Sequence, residues 1–246
     1  MEKPKNSNSS KNNVMNNRLP LLICLVISFI GCSQTPPKIE NYPFGALDVR
    51  VMVMPFGMEQ PIEVGQVPSS GTINFNFPKE IAVSTEMATS ESSKLWYTLF
   101  SQCDYGMDMV SEEENVFSFD AGFLSLWTSD NRYVGVIFTV SNEELLPWVE
   151  DPAYMDPIIG SYYKLIYVSK PVNYKEECIQ TKAAEDGDVQ VAYSYDLQLK
   201  QGFNFLEYKI EHIYKTDPNI MASFPDKVSV KSVENIPTSK WIGKYF

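Results

Sequence analysis

Few residues in this chain are equipped for chemistry. It holds a single histidine, His212, and four cysteines, Cys24, Cys32, Cys103 and Cys178. One imidazole cannot build a His-rich zinc site, and Cys103 and Cys178 stand too far apart for zinc-ligand spacing. A Ser-His-Asp triad would have to use His212, yet no Gly-x-Ser-x-Gly elbow presents a serine to it, so His212 reads as a strand residue with one polar contact. Phosphate-cradling glycine loops, dinucleotide glycine runs and the His-Glu-x-x-His helix are all missing. No cofactor and no metal are expected. Carboxylates are plentiful, 31 Asp and Glu in all. A glycosidase needs only two at a suitable separation, but nothing singles out a pair. Glu112, Glu113 and Glu114 read as a solvated turn. Glu185, Asp186 and Asp188 lack the spacing and terminal Glu of an EF-hand loop and read as a turn as well.

The segment from Ser141 to Gly160 is more informative. It has no strand period, carries Pro147, Pro152 and Pro157 five residues apart, and sets Trp148, Tyr154 and Met155 among acids that include Asp151 and Asp156. Ser141 with Glu144 has the form of a capping box for one helical turn. Loops this long in compact domains are functional or disordered, and the apolar content argues for the first. An aromatic platform beside carboxylates suits a sugar or a peptide, so Trp148, Tyr154, Asp151 and Asp156 are the candidate ligand-binding residues. The plainer alternative is a loop whose Trp148 packs on a sheet.

At the other end of the chain, an uncharged run from Leu21 to Ile30 follows a basic stretch and is too short for a membrane span, which takes about 20 residues. Its proportions are those of a secretory signal. The ending Phe29-Ile30-Gly31-Cys32 resembles the lipobox of bacterial lipoprotein signal peptides, with Phe29 where Leu is usual. The resemblance implies cleavage before Cys32, lipid on its thiol, and a bacterial cell envelope location. Ser33 fits sorting to the outer membrane. Residues 33–42 are polar and Pro-bearing and read as an extended tether of roughly 3 Å per residue. Translation could start at Met1 or Met15 without altering the mature protein.

Removing residues 1–31 takes away Lys3, Lys5, Lys11 and Arg18 against Glu2, which leaves 16 basic and 30 acidic residues and a net charge near −14. Nucleic acid is excluded as a partner by that balance, and membrane attachment must rest on the lipid alone. An exported chain permits disulfides. Cys103 and Cys178 either pair or sit apart as small buried apolar side chains.

The elements that must position these residues read mainly as strands. Leu47, Val49, Val51 and Val53 alternate with polar neighbours, as do Ile73, Phe75 and Phe77, the period of half-buried strands. Further strand signals run over 116–119, 123–127, 133–140, 162–168, 172–179, 189–199, 203–213 and 227–233. Hairpin turns are expected at Ser129 to Asn131 and Lys200 to Gly202. Leu95 with Leu99 and Trp96 with Phe100 mark a short helix near 90–101. The expected architecture is an antiparallel β-sandwich, one domain or two packed small modules, with a short helix. Its divisions are a signal at 1–31, an anchored tether at 32–42, a β module at 43–83 and a main β domain at 84–246. The stretch from Asp196 to Asn204 is similar to segments of uncharacterised lipoproteins of the Bacteroidota group, a likeness that carries no activity. The function expected is non-catalytic binding of a ligand or a partner protein, an envelope protein or a carbohydrate being the partners considered. A carboxylate-dependent glycoside hydrolase or carbohydrate-binding accessory protein and a structural or adhesive subunit are the alternatives.

Overall fold

The computed structural model describes residues 36–45, 48–54, 60–110 and 116–246. The leader, the expected anchor Cys32 and the run Glu112 to Glu114 lie outside the described residues. Among the described residues twelve strands share one hydrogen-bonded sheet, and short helices cover part of it. The protein is mainly β, with its short helices near the expected place.

The first half closes on itself. Strand β1 (Val49–Val53) lies between β2 (Ile62–Val67) and β5 (Leu124–Thr128); β2 also pairs β3 (Asn74–Phe75), and β5 pairs β6 (Tyr133–Val140). The β5–β6 turn runs through Asn131, whose φ of 63° is one that asparagine tolerates. The last strand, β12 (Lys240–Tyr245), pairs the far side of β6. Lys38 and Ile39 then bridge the gap, Lys38 to Thr72 ahead of β3 and Ile39 to Trp241 of β12. The bonds Ile39 N to Gly71 O at 2.9 Å, Ile73 N to Pro37 O at 2.7 Å and Glu40 N to Trp241 O at 3.0 Å complete a ring. Its interior is the period-2 apolar set: Val49, Val51, Val53, Val64, Leu126, Ile137 and Trp241. Burying each large side chain contributes about 1.5–3 kcal/mol. Of the expected tether, residues 38–41 are thus pinned into the fold, because Ile39 is apolar and buried.

The second half is an open sheet in the order β4 (Ser118–Asp120), β7 (Gly160–Val168), β10 (Gly202–Tyr214), β11 (Phe224–Val233), β9 (Gly187–Leu199), β8 (Val172–Ala184). It joins the ring at Val140–Tyr162 and through Gly122, whose φ of +68° lets the chain turn from β4 into β5. Side chains alternate across β7: Leu165 and Tyr167 pack toward the ring, Ile166 and Val168 toward helix α2 (Leu95–Phe100). Every strand pairing is antiparallel except β9 with β11. Although Lys200 and Gln201 alone connect β9 to β10, the two arms are splayed and β11 inserts between them. Val228 and Val230 of β11 join the core beneath α2.

Cys103, just after α2, and Cys178 of β8 form a disulfide with Cα atoms 5.7 Å apart. Beside it, Asp104 donates its N–H to Ile179 O at 2.9 Å, and its Oδ2 accepts from Thr181 N at 2.9 Å and Thr181 Oγ1 at 2.6 Å. These bonds occupy the outer edge of β8 as a neighbouring strand would. A preceding short helix, α1 (Thr85–Thr89), is capped by Ser84. No helix among the described residues is long and apolar enough to cross a membrane.

Candidate functional site

The face of the open sheet that carries α2 is covered at two ends and left open between them. At one end Leu95, Leu99 and Phe100 of α2 seal the strands. At the other, helix α3 (Leu146–Glu150) sets Trp148 against Tyr162 of β7, ring centroids 5.6 Å apart, and against Ile210 of β10. Between the two covers lie Tyr162 and Lys164 of β7, Tyr208 of β10 and Tyr193 of β9. Period 2 explains the placement. Tyr162 and Lys164 share a face with Ile166 and Val168, so β7 runs from an open polar end to a sealed apolar one.

Lys164 and Asp120 form the polar centre. Lys164 Nζ lies 2.9 Å from Asp120 Oδ2 and 5.6 Å from the centroid of the Tyr208 ring. Both side chains keep roughly a third of their surface exposed, so solvent screens the pair. Burial works against the charge on Lys164, but the Asp120 carboxylate outweighs it and holds the ammonium above the ordinary lysine range. Tyr162 stacks on Tyr208 at 5.1 Å. Burial pushes the phenols of Tyr162, Tyr208 and Tyr193 above the ordinary tyrosine range. At physiological pH all three therefore remain neutral hydroxyls, able to donate and accept.

Tyr162 and Tyr193 stand between two hollows. The first, of about 200 Å³, is floored by the Lys164–Asp120 pair and walled by Ser101, Gln102 and Tyr97 of the α2 region. The second, of about 180 Å³, lies under Trp148 and contains Gln180, Lys182 and Phe224. Each is smaller than the roughly 300–1,000 Å³ of sites that enclose drug-sized ligands; the two share Tyr162 and Tyr193 in their linings and so lie side by side along one groove. The groove holds a cation, a carboxylate, amides, hydroxyls and aromatic rings. Such a surface can hydrogen-bond the hydroxyls of a polar ligand and stack against its C–H faces.

The residues singled out in the sequence are dispersed. Trp148 is buried and lines the second hollow. Tyr154 is 82% exposed and Asp151 is exposed at the end of α3, so neither lines the groove. Asp156 Oδ1 accepts from Ser223 N at 2.7 Å and ties the segment to β11. The helical turn forms over Glu143–Leu145 and α3, but its cap is Asn142, whose side chain accepts from Glu144 N at 3.1 Å. Ser141 is engaged elsewhere: its Oγ accepts from Ser161 N at 2.7 Å across the sheet. His212 makes one polar contact, Nδ1 to Asp226 Oδ1 at 2.6 Å, on the exposed surface. Lys164, Tyr162, Tyr193 and Tyr208 were missed. Their signal was a period-2 tyrosine pattern with a lysine in register, legible only once β7, β9 and β10 are known to share a face.

No group of three or more potential metal ligands occurs among the described residues. No protein-family model matches the chain, and no curated protein or solved structure matches it either.

Proposed function

We propose that this protein is a lipid-anchored envelope protein that captures a hydroxyl-rich ligand, a sugar or oligosaccharide, without transforming it. The observation that carries the reading is the groove itself: a half-exposed Lys164–Asp120 pair set among tyrosine hydroxyls and rings. Sugars present alternating donors, acceptors and apolar C–H faces, and these side chains complement all three. Asp120 is the one carboxylate among the described residues that line the first hollow. Glycoside hydrolysis uses two carboxyl groups about 5–9.5 Å apart, so this lining favours binding. The envelope location rests on the lipobox-like residues Phe29 to Cys32.

The test is capture of immobilised oligosaccharides by the full-length protein in detergent. Tyr193→Phe removes one hydroxyl and is expected to weaken capture about two- to tenfold, the loss of a net hydrogen bond of about 0.5–1.5 kcal/mol. Tyr97→Ala removes a half-exposed ring at the rim and is expected to weaken capture as well. Undiminished binding in both variants would remove the groove from the account. For the anchor, Cys32→Ser is expected to release the protein from membranes; continued partitioning would refute lipidation.

A further inference from the structure

The two hollows differ in charge. In the first, Lys164 is neutralised by Asp120. In the second, no carboxylate contributes to the lining among the described residues. Lys182 sits there with its Nζ 4.0 Å from the centroid of the Phe224 ring, and it forms no ion pair among the described residues. A cation held against an aromatic face, without a counter-ion, is a poorly hydrated positive charge. Burial accordingly pushes Lys182 below the ordinary lysine range. Trp148, nine-tenths buried, lines the same hollow, and its indole Nε1–H has no hydrogen-bond partner. A buried donor left unsatisfied costs about 1–3 kcal/mol. Gln180 adds an amide. In a chain of net charge −11, a pocket whose described lining holds an unpaired ammonium beside an amide, and no acid, is chemically distinct from its surroundings.

We infer that the second hollow is a carboxylate subsite, and that the ligand of the groove is an acidic oligosaccharide, one bearing uronate or sialate groups. The carboxylate pairs with Lys182 while the neighbouring sugar lies across Tyr162 and Tyr193 into the first hollow. The surface acids elsewhere do not prevent this, because at physiological salt their fields decay within about 8 Å. This inference rests on the groove being a sugar site and adds the sign of its ligand.

The experiment uses a glycan array of matched pairs: uronate oligomers with their methyl esters, and sialylated glycans with their asialo forms. Full-length protein is expected to bind the acidic member of at least one pair ten times more tightly than its neutral partner. Lys182→Met keeps the aliphatic stem over Phe224 and is expected to abolish that preference. Lys182→Arg is expected to restore it. Equal binding of both members, or an acidic preference that survives Lys182→Met, overturns the carboxylate subsite and leaves the sugar groove standing. Failure to bind any member overturns both.

Discussion

Replacing Cys103 and Cys178 with alanine removes the covalent tie between the turn after α2 and strand β8. The two positions are 75 residues apart, and for a loop of that length the chain-entropy model gives about 4.5 kcal/mol of stabilisation, acting through the unfolded state. The native arrangement at the tie has independent support, since Asp104 remains hydrogen-bonded to Ile179 and Thr181. The double variant should therefore fold to the same structure and differ in its resistance to denaturant. Urea unfolding followed by tryptophan fluorescence is the assay. With a slope of about 2–3 kcal/mol per molar, the midpoint should fall by roughly 1.5–2 M. A fall of less than about 0.5 M would refute the reasoning, because the unfolded chain would then be restrained by something other than this bond. A variant lacking native fluorescence in water would also refute it, by showing that the Asp104 contacts cannot hold the turn alone.

Gly65→Ala should destabilise the ring by about 1–3 kcal/mol, read as a lower urea midpoint, because an added Cβ would lie 2.7 Å from Asn74 O on the adjoining strand. Trp148→Ala should cost about 3–5 kcal/mol of stability, while Trp148→Phe costs far less; similar midpoints would show that α3 is not held by this ring. Alkaline titration should resolve two classes among the 14 tyrosines. Tyr162, Tyr195 and Tyr208 have raised folded-state pKa values, chiefly through burial, so the folded chain retains protons that the unfolded chain releases. Their contribution is complete below about pH 10, the unfolded value, and is lost as pH rises toward the folded ones. Phenolate absorbance from these three should appear only together with unfolding, and its appearance in the folded protein would contradict their burial.

The strands were legible because alternation survives in the residues themselves. Val49, Val51 and Val53 announce one buried face, and the tyrosines of β7 and β9 follow the same rule. What alternation cannot state is which strands become neighbours. Lys200 to Gly202 reverses the chain but closes no hairpin, because reversal chemistry is local and β11 enters between β9 and β10 from later in the chain. The ring is illegible for the same reason: Ile39 is a lone apolar residue in a polar stretch, and only the position of Trp241 gives it a partner. The acidic aromatic loop stands out by its unusual composition, yet most of it caps and braces the sheet, with Trp148 and Pro152 reaching the groove. The groove residues were obscured by looking like ordinary strand residues, since Lys164 and Tyr193 acquire meaning only from side chains on other strands.

The placement of β11 and β12 bears on how the molecule is made. The ring cannot shut until Lys240–Tyr245 lies against β6 and Ile39, and the splayed arms of β9 and β10 have no shared filling until Phe224–Val233 arrives. Both halves thus wait for residues 224–245. A topology whose two cores are closed by the last of its described strands condenses slowly, as contacts remote in sequence require.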